Sequence, residues 1–188
     1  QQTNTANWTG CSASKKPRGN ETMILFFDCE TTGKADFKSP PEAEHQPKIV
    51  QIAAILCEEN GDEVSSLNLI VKPSGFQIPN EASSIHGITT QIGMSKGVPR
   101  VHALLAFASL SQIAELYCCH NSDFDTFILR GECERLSVNF ARRDAFCTMK
   151  AMTDVCKIPG PYGNKWPKLT EAYRHAFQKD FDGAHDAL

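Results

Sequence analysis

An α/β domain with a mixed sheet is the fold class that the sequence predicts, and two observations support it. Strand patterns come first, in an apolar run at residues 23–26, a β-branched stretch at 49–56 and an alternating stretch at 64–71. From residue 80 onward, helical patterns alternate with short apolar strands. The chain has 188 residues, of which 41% are hydrophobic, so one domain can bury a substantial core.

The first three strands are separated by recognisable turns and loops. Residues 23–26 lead into a turn marked by Gly33, and a charged, Pro-containing loop follows at 34–48. Asn60 and Gly61 form a hairpin signal between the second and third strands. We therefore expect these three strands to form an antiparallel meander.

Helices dominate the second half of the chain. Asn80 is the expected N-cap of a short helix that ends at Gly87, and Thr148 is the expected N-cap of a helix through Met152. A long amphipathic helix is indicated by the spacing of Val101, Leu104, Leu105, Ala108, Ile113 and Leu116. The inner face of the next helix comprises Phe124, Phe127, Ile128 and Gly131. Short strands are expected at 116–119 and 145–147, and further helices at 169–177 and from 183 onward.

Composition excludes several classes of protein. The net charge of −3 gives no global basic field of the kind that many duplex-DNA binders carry. No apolar run approaches the roughly 20 residues of a membrane span. The eight cysteines include no C-x-x-C pair, so we expect reduced thiols and a cytoplasmic protein. Residues 1–22 are polar and lack periodicity, and we expect a disordered or vector-derived extension before a single domain at 23–188.

Two carboxylates end the first strand. Asp28 and Glu30 lie two positions apart and therefore point to the same face of the strand. Like charges at the end of a core strand are costly unless water, hydrogen bonds or a cation neutralises them, and Mg²⁺ prefers such oxygen ligands. Two solvated carboxylates are the commoner interpretation of an isolated Asp-x-Glu.

Two further polar sites occur where strands or loops meet helices. At His120-Asn121-Ser122-Asp123-Phe124-Asp125 a strand meets a helix, and Asp125 either completes a capping pattern with Ser122 or faces a cleft beside the first strand. His185 begins the last helical stretch, where an isolated histidine is more often a surface residue than a catalyst.

Together these segments resemble the DEDD-type 3′–5′ exonucleases, in the subgroup whose last motif carries a histidine. The proofreading epsilon subunit of bacterial DNA polymerase III is its familiar member. Residues 28–33 resemble the first motif, 120–125 the second and His185 the start of the third, in family order across 23–188. The resemblance implies a ribonuclease H-like, mixed five-stranded sheet flanked by helices.

The chain departs from the family pattern at its end. The family's final aspartate lies five residues after its histidine, which falls two positions beyond Leu188. Asp186 lies at the wrong helical angle to replace it. Because the sequence stops within a helical pattern, we expect the C-terminal end of the domain to be incomplete, with a truncated, impaired protein as the alternative.

The resemblance also implies a chemistry. Asp28, Glu30 and Asp125, with the missing aspartate, would bind two Mg²⁺ or Mn²⁺ ions that activate water and stabilise the leaving 3′-oxygen. His185 would accept the proton of the water. Without metal we expect the carboxylates to be disordered or partly protonated. The implied contacts to the 3′-terminal nucleotide are Thr31, Thr32, Gly33, His86, His120 and Phe124.

Some of these residues have structural alternatives. His86 equally fits a histidine that contacts the carbonyls at a helix C-terminus, and Phe124 fits a core position. Tyr162 and Trp166 could stack on bases, but we favour a loop-anchoring role for both. The expected activity is that of a 3′–5′ exonuclease that acts on single-stranded or frayed DNA and releases nucleoside monophosphates. A role in proofreading, with a DNA polymerase as the partner, belongs to the same expectation. The alternatives are an exoribonuclease and an inactive nucleic-acid-binding or polymerase-docking module.

Overall fold

A mixed five-stranded sheet forms the centre of the protein in the computed structural model, which describes residues 22–180. The elements are β1 (Met23–Thr31), β2 (Ile49–Glu58), β3 (Glu63–Ile70), α1 (Asn80–His86), α2 (Thr90–Lys96), α3 (Arg100–Ile113), β4 (Leu116–Cys119), α4 (Ser122–Arg135), β5 (Ala145–Cys147), α5 (Thr148–Cys156), β6 (Pro159–Gly160), β7 (Gly163–Asn164) and α6 (Leu169–Phe177). The strand order is β3-β2-β1-β4-β5. Strands β1, β2 and β3 pair antiparallel, whereas β4 and β5 run parallel to β1. The predicted α/β class, mixed sheet and meander are therefore confirmed.

Alternation along β1 separates the core from the polar face. Leu25, Phe27 and Cys29 are buried on one face. The ring of Phe27 meets Phe107 at 5.0 Å and Tyr117 at 5.4 Å, both in edge-to-face arrangements. Because successive side chains of a strand point to opposite faces, this packing fixes Asp28 and Glu30 on the other face.

The helices begin at positions that differ from the predicted caps. Pro79 occupies the N-cap and Asn80 is the first helical residue, while Gly87 ends α1 with φ 75° as predicted. The N-cap of α4 is Asn121, with φ 75° and ψ 51°, and its side chain makes no capping hydrogen bond. Ser122 is therefore the first helical residue rather than the cap. The predicted Ser-x-x-Asp cap is wrong, because the Asp125 side chain is used by a tertiary contact instead.

Further differences concern later elements. The strand predicted at 116–119 is β4, so Leu116 lies outside the long helix whose apolar spacing also included it. Helix α5 begins at Thr148, with Cys147 rather than Thr148 as its N-cap, and runs four residues past Met152. Helix α2 and the β6–β7 hairpin were not predicted.

The seven cysteines within 22–180 are free, and no helix in this range is long and apolar enough to cross a membrane. Residues 1–21 and 181–188 lie outside the described part, so the predictions for the extension and for His185 stay predictions.

The 34–48 loop is attached to α4 along its length. Nη1 of Arg135 donates to the carbonyls of Pro41 at 3.0 Å and Ala43 at 3.2 Å. A Cβ on Gly131 would lie 2.0 Å from the Pro41 oxygen, so the backbones meet where only glycine fits. The fully buried Glu132 carboxylate contacts Arg135 and lies 3.3 Å from Arg100 Nε.

Candidate active site

The parallel pairing of β1 and β4 brings the first two motifs together. Phe26 is in register with Cys118, so Asp28 lies level with His120, where α4 is about to begin. One turn into α4, Asp125 turns back toward β1, and its Oδ1 accepts a hydrogen bond from the Cys29 backbone N–H at 3.0 Å. The two acidic segments, 96 residues apart in sequence, therefore meet at the carboxyl ends of adjacent strands.

The carboxylates of Asp28 and Asp125 repel each other electrostatically. Asp125 is 2% exposed, and burial together with the charges of Asp28 and Glu30 raises its pKa well above the usual value, against the lowering effect of the Cys29 N–H. Burial raises the pKa of Asp28 to about 6. Ionising both groups therefore costs free energy, and a bound cation would relieve that cost.

The residues present match part of a divalent-metal site. Carboxylate oxygens are the ligands that hard cations prefer, and Asp28 and Asp125 repel each other in a buried position. Within residues 22–180, no group of three or more His, Cys, Asp or Glu side chains is arranged to hold a metal ion. The donor chemistry thus fits a cation, whereas the described ligand set is incomplete.

Glu30 shares the open face of β1 with Asp28. Both side chains are half-buried, in contrast to the buried Cys29 between them. Immediately after Glu30 the β1–β2 register shifts, so that Glu30 faces Gln51 but Thr31 faces Ile49. Such irregularities bend a strand locally, and this one ends regular pairing where the first motif turns into its loop.

The turn after β1 uses its hydroxyl groups internally. Thr31 Oγ1 donates to the Gly33 carbonyl at 2.7 Å, and Thr32 Oγ1 accepts from the Lys48 N–H at 2.9 Å. Gly33 is exposed, and a Cβ placed there would meet no atom within 4 Å. Of these three predicted contacts, Gly33 therefore presents the most open surface to a ligand.

His86 reaches the end of β1 from α1. Its Nδ1 accepts the Ile88 backbone N–H at 3.1 Å, while Nε2 is buried with no hydrogen-bond partner among the described residues. Burial lowers the pKa of His86, and the Thr31 backbone opposes this shift. The ring is therefore neutral at pH 7 and lies beside the first motif, next to the Thr31 backbone.

His120 is tied into the protein through both ring nitrogens. Nε2 lies 3.0 Å from the Pro167 carbonyl, and since a carbonyl only accepts, Nε2 carries the proton. Nδ1 lies 2.9 Å from Thr148 Oγ1, and burial lowers the pKa of the ring. The ring therefore joins the second motif to α5 and to the loop before α6. Phe124 is half-buried and packs against the main core, in agreement with the alternative interpretation of this residue as a core position.

Two aromatic side chains are placed differently from the favoured prediction. Tyr162 is 103% exposed and Trp166 is 62% exposed, so neither side chain anchors its loop in the core.

Sequence reasoning also missed Thr148 as the partner of His120. The available signal was that residues 145–147 form the strand next to β4, so the residue that follows them lies beside His120.

A ribonuclease H-like sheet with acidic residues near the end of β1 and in the first turn of α4 is the arrangement of a DEDD-type nuclease. The Exonuclease family model (RNase_T) matches residues 25–188, and the chain belongs to this family. The uncharacterized exonuclease CP81 of Escherichia phage 186 is 30% identical over 172 residues, which cover 87% of this chain and 80% of that protein.

Solved structures show the same fold. Exonuclease I of E. coli in complex with a dT13 oligonucleotide superposes with a TM-score of 0.70 at 19% identity, over 89% of this chain and 38% of that one. The complex of the same enzyme with a dA16 oligonucleotide gives a TM-score of 0.71 at 18% identity, with the same coverage. A zinc-bound form of the Exonuclease I–ssDNA complex also matches, with a TM-score of 0.71 at 19% identity over 89% and 37% of the two chains. The chain thus spans well under half the length of Exonuclease I.

Proposed function

We propose that the protein is a metal-dependent 3′–5′ exonuclease that hydrolyses single-stranded or frayed DNA and releases nucleoside monophosphates. The observation that carries this proposal is the meeting of Asp28 and Asp125 in a buried position that raises the pKa of both. The DNA preference is supported by the Exonuclease I structures, which contain single-stranded DNA oligonucleotides.

The chain's own residues have distinct tasks in this proposal. Asp28, Glu30 and Asp125 would hold two Mg²⁺ or Mn²⁺ ions, which when bound supply Lewis-acid activation of water and charge stabilisation at the leaving oxygen. Gly33 and the buried Nε2 of His86 would border the terminal nucleotide. His185, outside the described residues, would accept the proton of the attacking water.

The test is a nuclease assay on the complete gene product. Single-stranded DNA and RNA oligonucleotides labelled at the 5′ end are incubated with Mg²⁺, Mn²⁺ or EDTA, and the products are separated by length. We expect a metal-dependent ladder that shortens from the 3′ end of the DNA. Asp28→Asn should abolish the ladder, whereas Asp123→Asn, which changes an exposed carboxylate near the same site, should retain it.

The other outcomes of this nuclease assay favour one of the alternative functions. Faster shortening of the RNA would make the protein an exoribonuclease, and a requirement for the 2′-hydroxyl would confirm that assignment. Binding without shortening would favour an inactive nucleic-acid-binding or polymerase-docking module. A DNA polymerase partner, a proofreading role and a cytoplasmic location rest on the sequence alone and belong to the same proposal.

A further inference from the structure

The β6–β7 hairpin holds two large aromatic side chains in solvent. Tyr162 occupies the tip of the hairpin and is fully exposed, and Trp166 follows β7 with 62% of its surface exposed. Exposed aromatic surface of this size on a fixed backbone is typical of an interaction site. The described contacts of these two residues give neither of them a role in the core.

The hairpin backbone is fixed by local chemistry and by contacts to the neighbouring helices. Pro161 restricts φ at the turn, and Gly163 adopts φ 119°, which favours glycine. Asn164 Nδ2 donates to Asp154 Oδ1 of α5 at 3.3 Å. Lys165 Nζ lies 2.7 Å from Glu171 Oε1 of α6. Tyr162 and Trp166 are therefore presented on a support that needs little further ordering when a ligand binds.

The charge of this segment differs from that of the whole chain. Residues 157–168 contain Lys157, Lys165 and Lys168 and no acidic residue, although the chain carries a net charge of −3. Lys157 and Lys168 are exposed, while Lys165 is paired with Glu171. Exposed aromatic rings interleaved with lysines are the combination that binds single-stranded nucleic acid, through base stacking and phosphate contacts.

The segment lies beside the candidate active site. Pro167 is buried, and its carbonyl accepts a hydrogen bond from His120 Nε2 at 3.0 Å. His120 belongs to the second motif, and Trp166 directly precedes Pro167. A strand whose 3′ end reaches Asp28 and Asp125 would therefore have neighbouring nucleotides close to this aromatic segment.

We infer that residues 157–168 form a subsite for the unpaired nucleotides that precede the 3′-terminal one. Tyr162 and Trp166 stack on their bases, and Lys157 and Lys168 contact their phosphates. The subsite selects unpaired strands, since a base must leave the duplex stack to meet an aromatic ring. This inference rests on the proposed exonuclease function, and the experiment separates the two.

The first experiment compares a long substrate with one that cannot reach the subsite. Steady-state kinetics are measured on a 20-nucleotide oligo-dT and on the p-nitrophenyl ester of thymidine 5′-monophosphate. For Tyr162→Ala and Trp166→Ala, KM for the oligonucleotide should rise about 5- to 150-fold for each stacked base that is lost. Hydrolysis of the ester should not change. Tyr162→Phe should behave like the wild type because it retains the ring, and so should Phe177→Ala, which removes an exposed ring at the far end of α6.

The second experiment asks whether bases are what the segment recognises. An oligonucleotide with abasic sites upstream of its last two nucleotides should bind the wild type as weakly as normal DNA binds the Tyr162→Ala/Trp166→Ala double variant. On this abasic DNA, Tyr162→Ala should have no further effect. The inference is overturned if the alanine variants match the wild type on oligo-dT, if they also lose the ester reaction, or if they are equally impaired on abasic DNA. If the wild type hydrolyses neither substrate, the proposed function itself fails.

Discussion

Replacing Asp28 with asparagine should stabilise the metal-free protein at neutral pH. Burial raises the pKa of Asp28 from 3.8 to about 6, so the folded state binds more protons than the unfolded state between these values. The free energy of unfolding therefore falls as pH rises through this window. At 1.36 kcal/mol per pKa unit, the difference between the two pKa values corresponds to about 3 kcal/mol of stability. The folded protein loses this stability as pH rises past 6. Asparagine carries no charge and avoids this loss.

Urea unfolding in EDTA, followed by far-ultraviolet circular dichroism at pH 4.5, 6.0 and 7.5, measures the effect. Asp28→Asn should be more stable than the wild type by only about 1 kcal/mol at pH 4.5 and by up to about 3 kcal/mol at pH 7.5. The exposed Asp123→Asn variant, which breaks only a surface pair with Lys150, should leave the stability almost unchanged at every pH. Equal stability of Asp28→Asn and the wild type at every pH, or a less stable variant at pH 7.5, would refute this account.

Three further predictions concern stability and metal binding. Glu132→Ala should cost about 3–5 kcal/mol in urea unfolding, because it leaves the charges of Arg100 and Arg135 without their buried partner. Gly131→Ala should lower the melting temperature although alanine favours helix by about 1 kcal/mol, since the new Cβ would meet the Pro41 carbonyl. Adding Mg²⁺ to the EDTA-treated protein should raise the melting temperature of the wild type, by mass action on the folded state, and should leave that of Asp28→Asn unchanged.

Each of these predictions has a control that the chain provides. Gly33→Ala is the matched substitution for Gly131→Ala, because a Cβ at position 33 meets nothing within 4 Å. Equal melting temperatures for the two glycine variants would contradict the proposed clash. Glu134→Ala, which removes an exposed partner of Arg130 and Arg142, is the control for Glu132→Ala, and similar losses would mean that burial of the carboxylate is not decisive. Stabilisation of Asp28→Asn by Mg²⁺ would show that the ion binds elsewhere.

The sheet could be predicted because its strands carry their own signals. Residues 116–119 and 145–147 were placed correctly from short apolar runs alone. Helix α2 was missed because its sequence contains an interior glycine and weak helix formers. Gly93 is required there by packing, since a Cβ would lie 2.7 Å from Pro73 Cδ. A tertiary contact of this kind leaves no periodic pattern in the sequence.

The candidate site shows the same division between local and long-range information. Sequence reasoning identified Asp28, Glu30 and Asp125, yet the local pattern at Ser122 indicated a helix cap for Asp125. The observed partner of Asp125 is the Cys29 N–H, which is 96 residues away, and no spacing rule links the two. The exposure of Tyr162 was also beyond the sequence, because the same Pro- and Gly-rich segment could have folded its aromatic rings inward.

The attachment of residues 34–48 to α4 limits movement at the rim of the candidate active site. This loop continues directly from Thr32 and Gly33, and Gln46 ties it together from within through Asp36, while Arg135 holds it to the helix. Its amide protons should therefore exchange with solvent at the rate of a cooperative unit that includes α4, and proteases should cleave the loop slowly despite its length. This rim is in that sense a piece of the scaffold, and in the proposed reaction a strand would enter through movement of the nucleic acid rather than of a lid.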